Sequence, residues 1–145
     1  MTKIVVGSDH AGLPLKRPLL DALKARGHEV EDVGTHEDAS CDYPDFAHAL
    51  ASKVADGSFP LGLLVCGSGV GMSITANKHA GVRAVVCSEP YSAEMARRHN
   101  DANVLCLGAR VVGVGLAEAI VDAFLGAEFE GGRHGRRVDK IEPPA

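Results

Sequence analysis

No excess of positive charge marks this chain: fifteen Lys and Arg stand against nineteen Asp and Glu, a formal charge of −4. That balance gives no reason to expect a nucleic acid or an anionic membrane as partner. No apolar run is long enough to span a bilayer. The opening MTKIVVGSDHAG offers only a short apolar stretch before Gly7 and Asp9, which argues against a secretory signal. A Cys-x-x-Cys pair is missing too. Cys41, Cys66, Cys87 and Cys106 lie far apart, so neither a zinc site nor a disulfide framework is signalled. Reduced thiols in a cytoplasmic protein are the expectation. Internal repeats and low-complexity segments are also lacking.

What is present fits one domain spanning residues 1–145, with a tail from about residue 138 that frays at Glu142-Pro143-Pro144-Ala145. Hydrophobic residues make up 46% of the chain, enough to bury a core without disulfides or metals. One local charge cluster stands out. Arg133, His134, Arg136 and Arg137 follow Gly131-Gly132, a pair that lets the chain turn closely and present the arginines. On an acidic protein, such a knot suits a small anionic ligand better than a polymer, although a charge run is usually a solvated face.

Short apolar runs alternate with amphipathic stretches throughout. Strands are expected at residues 4–6, 29–33, 61–65, 82–86 and 104–107, all but the second apolar without alternation, as in strands buried on both faces. Leu15, Leu19, Leu20 and Leu23 share one helical face, and Phe46, Ala47, Leu50, Ala51 and Val54 share another, with Pro44 opening that helix. Further helices are expected at about residues 70–79, 90–99 and 113–125. Five βα units imply a parallel five-stranded sheet with helices on both faces, a three-layer α/β/α Rossmann-like sandwich. Ligands of such folds bind beyond the carboxyl ends of the strands.

Polar and reactive residues fall where that rule looks for them. Strand one runs into Gly7-Ser8-Asp9-His10-Ala11-Gly12, strand three into Cys66-Gly67-Ser68-Gly69-Val70-Gly71, and strand five into Gly108-Ala109-Arg110. Strand four leads to Cys87-Ser88-Glu89-Pro90-Tyr91, and its helix ends at His99-Asn100-Asp101; all of these are expected along one edge of the sheet. The alternate glycines after Cys66 let main-chain amides converge beside a helix N-terminus, a place for a phosphate or an enediolate oxygen. That positive potential would also favour a thiolate at Cys66.

Each residue has a plainer reading. Cys66 could be one more small buried hydrophobe, as Cys87 and Cys106 are expected to be, with Cys41 an inert loop thiol. Asp9 and His10 could cap a helix or bind a ligand, and His99 could merely complement a helix C-terminus. A dinucleotide site is disfavoured, because the G-x-G-x-x-G spacing breaks at Met72, although Glu89 lies about 20 residues after Gly69.

Taken together, these motifs resemble the ribose-5-phosphate isomerase B family over nearly the whole length. The resemblance runs through Asp42-Tyr43-Pro44-Asp45, Ala76-Asn77-Lys78, Ala84-Val85-Val86-Cys87, Ser88 to Ala93, Leu107-Gly108-Ala109-Arg110 and Glu130-Gly131-Gly132-Arg133-His134. It implies a homodimer, often paired into tetramers, with active sites shared between subunits and neither metal nor organic cofactor. It further implies that Cys66 moves a proton between C1 and C2 while the main chain of Gly67, Ser68, Gly69, Val70 and Gly71 cradles the enediolate. His99 would assist ring opening. Asp9, His10, Tyr43 and Asn100 would contact hydroxyls or phosphate, and Arg110, Arg133 and Arg137 would clamp the phosphate. A second branch of the family uses a glutamate where this chain has Met72, so the resemblance is to the cysteine branch.

The implied activity is interconversion of ribose 5-phosphate and ribulose 5-phosphate in the pentose phosphate pathway. Two other readings stay open on sequence: an isomerase of allose or galactose 6-phosphate, and a non-catalytic flavodoxin-like module holding a nucleotide.

Overall fold

The computed structural model describes residues 2–144. Five strands, β1 (Lys3–Ser8), β2 (Glu29–Asp32), β3 (Leu61–Cys66), β4 (Ala84–Val86) and β5 (Val104–Gly108), pair in parallel in the order β2-β1-β3-β5-β4. Between and after them lie α1 (Leu13–Ala25), α2 (Tyr43–Ala55), α3 (Val70–Ala76), α4 (Pro90–Asn100), α5 (Val114–Leu125) and α6 (Arg133–Val138).

The strand order dictates which helix covers which face. Right-handed crossovers that move one way along a sheet place their helices on one face, and those that move back place them on the other. The β1-to-β2 and β4-to-β5 crossovers run in one direction, and the β2-to-β3 and β3-to-β4 crossovers run in the reverse. Two cores result. One joins Leu15, Leu19 and Leu23 of α1, Ala93 and Ala96 of α4, and Ile120 and Phe124 of α5. The other joins Ala47, Leu50 and Val54 of α2 with Met72 and Ala76 of α3. β1, β3 and β5 are the inner strands of this sandwich, and β3 and β5 are buried at every position.

Three local readings of the sequence are corrected. The fourth strand starts at Ala84 rather than Val82 and is not buried on both faces, with Val86 41% exposed. It is an edge strand, and the Asn77 side chain fixes its start: its amide donates to the Ala84 carbonyl at 2.9 Å and its carbonyl accepts from the Ala84 N–H at 2.7 Å. Asn77 also follows the last residue of α3, which is shorter than the 70–79 expected. Finally, the basic segment forms α6, six residues too short for a periodic pattern to show. The glycines before it do turn the chain, both with positive φ. The tail is tied at Glu142, whose carboxylate accepts the Gly81 N–H at 3.2 Å.

Candidate active site

Register alone brings the reactive groups of three strands together. Ser8 pairs with Val65, and Cys66 pairs with Gly108, so the loops after β1, β3 and β5 leave the sheet side by side. They border a cleft of about 630 Å³ lined by Asp9, His10, Tyr43, Cys66, Gly67, Ser68, Val70, Gly71 and Arg110. Ala11, Ile74 and Val111 complete the lining. The two inner chain reversals meet at the β1–β3 boundary, where α/β sheets hold their ligands.

Cys66 is the last residue of β3 and is only 4% exposed, among core neighbours on the α2–α3 side. Its sulfur is nevertheless turned to the loop, where the Gly69 N–H donates to Sγ at 3.1 Å. An amide aimed at sulfur interacts more strongly with a thiolate than with a thiol. Gly69 can make this contact because its φ of +80° is open to glycine, and a Cβ there would meet the Leu107 carbonyl carbon and Val86 at 2.9 Å. Not every loop amide faces the cleft, since the Val70 N–H turns to the Ser68 hydroxyl at 3.3 Å. The N–H groups of the first turn of α3 have no partner inside the helix.

Around the thiol, the other groups are held from different elements. The Asp9 carboxylate accepts the Gly12 N–H at 2.9 Å through Oδ1, so it fastens the start of α1 and also lines the cleft. The Cys41 N–H donates to His10 Nδ1 at 3.2 Å, which leaves Nε2 to carry the ring proton. The Cys41 thiol also lies 3.7 Å from that Nδ1, so the loop cysteine abuts a cleft residue. Tyr43 opens α2 and lays its ring against Gly71, where an added Cβ would come within 2.6 Å of its Cζ. The Arg110 guanidinium passes over Gly67, 3.1 Å from where a Cβ would sit.

His99, Asn100, Arg133 and Arg137 lie elsewhere in the same chain. The expectation that His99 and Asn100 lie along the edge that carries Cys66 is incorrect. α4 begins beside the carboxyl end of β4 and runs antiparallel to the strands, so its last residues reach the opposite edge of the sheet. Asn100 there shares a cleft of about 410 Å³ with Val82, Arg83 and Ala84 at the start of β4. α6 packs on this end of α4: the His99 and His134 rings stack with centroids 4.2 Å apart and planes 6° from parallel. Glu130 sits beside both, its Oε1 3.8 Å from His99 Nε2 and 3.5 Å from His134 Nε2. Burial, then the charges of His99 and Arg133, lowers the proton affinity of His134 and favours its neutral ring.

Sequence reasoning passed over two groups. Lys16 is fully buried, its ammonium 2.8 Å from Asp32 Oδ1 and 2.6 Å from the Thr35 carbonyl. It moors to α1 the loop that carries Cys41 and leads into α2, and its only signal was a lysine at helical spacing from Leu13, Leu19, Leu20 and Leu23. Glu130 had no role on sequence and His134 only a place in the basic knot, because their pairing with His99 spans more than thirty residues of sequence.

An α/β/α sandwich with a thiol, a carboxylate, an imidazole and a guanidinium around a glycine loop is a Rossmann-like domain with a polar, reactive cleft at the carboxyl ends of its strands. The chain belongs to the Ribose/Galactose Isomerase family, whose model matches residues 4–141. It is 56% identical over 141 residues to ribose-5-phosphate isomerase B of Escherichia coli K12, covering 97% of this chain and 95% of that one. Among solved structures it resembles ribose-5-phosphate isomerase B of Clostridium thermocellum at 56% identity, with a TM-score of 0.94 and coverage of 96% and 94%. The Mycoplasma genitalium enzyme, solved with bound ribulose-5-phosphate, is 48% identical with a TM-score of 0.92, covering 96% of this chain and 93% of that one.

Proposed function

We propose that this protein interconverts D-ribose 5-phosphate and D-ribulose 5-phosphate through a cis-enediolate, with Cys66 as the base. The observation that carries the reading is the placement of Cys66: a sulfur at the carboxyl end of β3, turned to a glycine loop and lining the cleft. Its relatives' names supply the substrate.

The furanose must open first. His99 donates a proton to the ring oxygen as the anomeric hydroxyl loses its own, which frees the aldehyde. The Cys66 thiolate then takes the proton from C2; the electron pair forms the C1–C2 double bond and charge moves to O1. Amides of residues 67–71 that face the cleft stabilise this oxyanion. Cys66 returns the proton to C1, and the hydrogen on O2 passes to O1 to leave the ketone. Asp9 and Tyr43 orient hydroxyls, Asn100 joins them, and His10, Arg110, Arg133 and Arg137 hold the phosphate. That remote binding keeps the reacting carbons in register.

Residues of both sheet edges enter one site when a second copy supplies His99, Asn100, Arg133 and Arg137 to the Cys66 cleft of the first. A homodimer with two shared sites follows. The cleft rim supports this, because Tyr43, Val70, Ile74 and Val111 are 40%, 47%, 57% and 59% exposed and offer an apolar surface for a partner to cover. No helix among the described residues is long and apolar enough to cross a membrane, and all four cysteines are free thiols. Those thiols fit a reducing cytoplasm, where the reaction belongs to the pentose phosphate pathway.

A coupled isomerase assay on purified protein tests the reading. Ribose 5-phosphate turns over faster than allose or galactose 6-phosphate. Cys66→Ala folds and binds the sugar phosphate but loses at least about a thousandfold in kcat, within the span of one general base. Preference for a six-carbon phosphate would overturn the substrate, and an active Cys66→Ala would overturn the base.

A further inference from the structure

The contact between α4 and α6 holds three metal-ligating groups for which isomerisation requires only one. His99 Nε2, His134 Nε2 and a Glu130 carboxylate oxygen all lie within 4.8 Å of one another. A tetrahedral zinc ion, with bonds of about 2.0–2.2 Å to nitrogen and oxygen, sets its ligand atoms roughly 3.3–3.5 Å apart. Glu130 Oε1 is 3.5 Å from His134 Nε2 and 3.8 Å from His99 Nε2, so two of the three separations are nearly those an ion requires. Because the two rings stack with planes 6° from parallel, their Nε2 lone pairs lie in parallel planes, and the half-exposed His99 ring must turn out of the stack to bring its own to the ion.

Two further observations point to a ligand. His134 is 7% exposed, and its Nε2 is buried without a hydrogen-bond partner, facing Glu130. A buried unpaired imidazole nitrogen is costly to keep. Glu130 is also held for coordination: Arg98 approaches Oε2 at 3.6 Å, leaving Oε1 toward both rings, as outer partners orient ligands at metal centres. Arg133 and Arg137 on the same helix oppose a dication, and the Glu130 carboxylate offsets part of that charge.

We propose that His99, Glu130 and His134 form an inhibitory site for a zinc-class divalent transition metal, which occupies His99 Nε2 and so withdraws it from the sugar. Two imidazoles and one carboxylate select zinc or cobalt over magnesium or calcium. The binding half rests on the clustering of the three groups and the unpaired His134 Nε2, whereas the inhibitory half rests on the role of His99 proposed above.

Cobalt, a spectroscopic stand-in for zinc, separates the two. Added to full-length protein in chelator-free buffer, Co2+ gives the visible absorption of a tetrahedral site, and Mg2+ in excess does not displace it. Glu130→Gln and the exposed-side variant His99→Gln each weaken this binding by about 10–100-fold or more. Cys66→Ala leaves it intact. So does His79→Gln, which breaks the separate exposed His48–His79 pair at 2.7 Å. Absence of the band in wild type, its persistence in both Glu130→Gln and His99→Gln, or its loss in Cys66→Ala overturns the site. With the site established, Zn2+ inhibits turnover competitively with sugar phosphate, EDTA restores it, and Glu130→Gln resists inhibition. Cobalt binding at these residues without inhibition by zinc overturns the role of His99 while leaving the metal site standing.

Discussion

Cys66, Cys87 and Cys106 are all buried, but among the described residues only Cys66 of the three has a polar partner for its sulfur. Burial, helped by Glu89, pushes the Cys87 thiol from an ordinary 9.0 up to about 11. Burial pushes Cys106 up as well, with Cys66 and Cys87 adding to it. Both therefore stay protonated at pH 8. The sign for stability follows: the fold holds these groups as neutral thiols, so their contribution is complete below pH 9 and declines as the pH rises toward 11. Iodoacetamide at pH 8 should modify Cys66 and the half-exposed Cys41 well before Cys87 and Cys106, with activity falling in step with Cys66. Peptide mass spectrometry checks this, and modification of Cys87 as fast as Cys66 would contradict it. Reading Cys87 and Cys106 as packing residues was possible because they sit in or against strands. Cys66 stood apart by its glycine loop. The orientation of its sulfur was beyond reach, because it depends on the left-handed turn at Gly69.

At the scale of elements, the buried ion pair of Lys16 and Asp32 joins α1, the end of β2 and the loop after it. Removing one partner of such a pair strands the other charge. Lys16→Met should cost about 3 kcal/mol of stability, and Lys16→Met with Asp32→Leu distinctly less than the single change, because no charge is then left unpaired. Urea unfolding of the three proteins measures both differences. A single variant as stable as wild type would mean that the desolvated lysine contributes nothing net. The helices and inner strands were legible because each buries a face that leaves a period in the sequence. The sheet order was not, since nothing in β4 or β5 announces that the later strand inserts between β3 and β4. α6 was missed for a different reason: six residues, mostly charged, carry no apolar period.

Across the whole molecule, the two halves of the proposed machinery stand at opposite edges of one sheet. The sequence put His99 and Asn100 with Cys66 by their position after strand four. A helix that returns along the sheet carries its last residues to the far edge, a consequence of topology that no local pattern encodes. The same topology makes the claim of a shared site testable by mixing. A Cys66→Ala chain lacks the base, and a His99→Gln/Arg133→Ala chain lacks what it would lend to its partner. Each is nearly inactive alone. If the two are unfolded in urea, mixed equally and refolded, half of the dimers are mixed, and each mixed dimer has one intact site of two. The account predicts recovery of about one quarter of wild-type isomerase activity. Activity that stays at the level of the separate parents would contradict it, placing every catalytic group within a single chain.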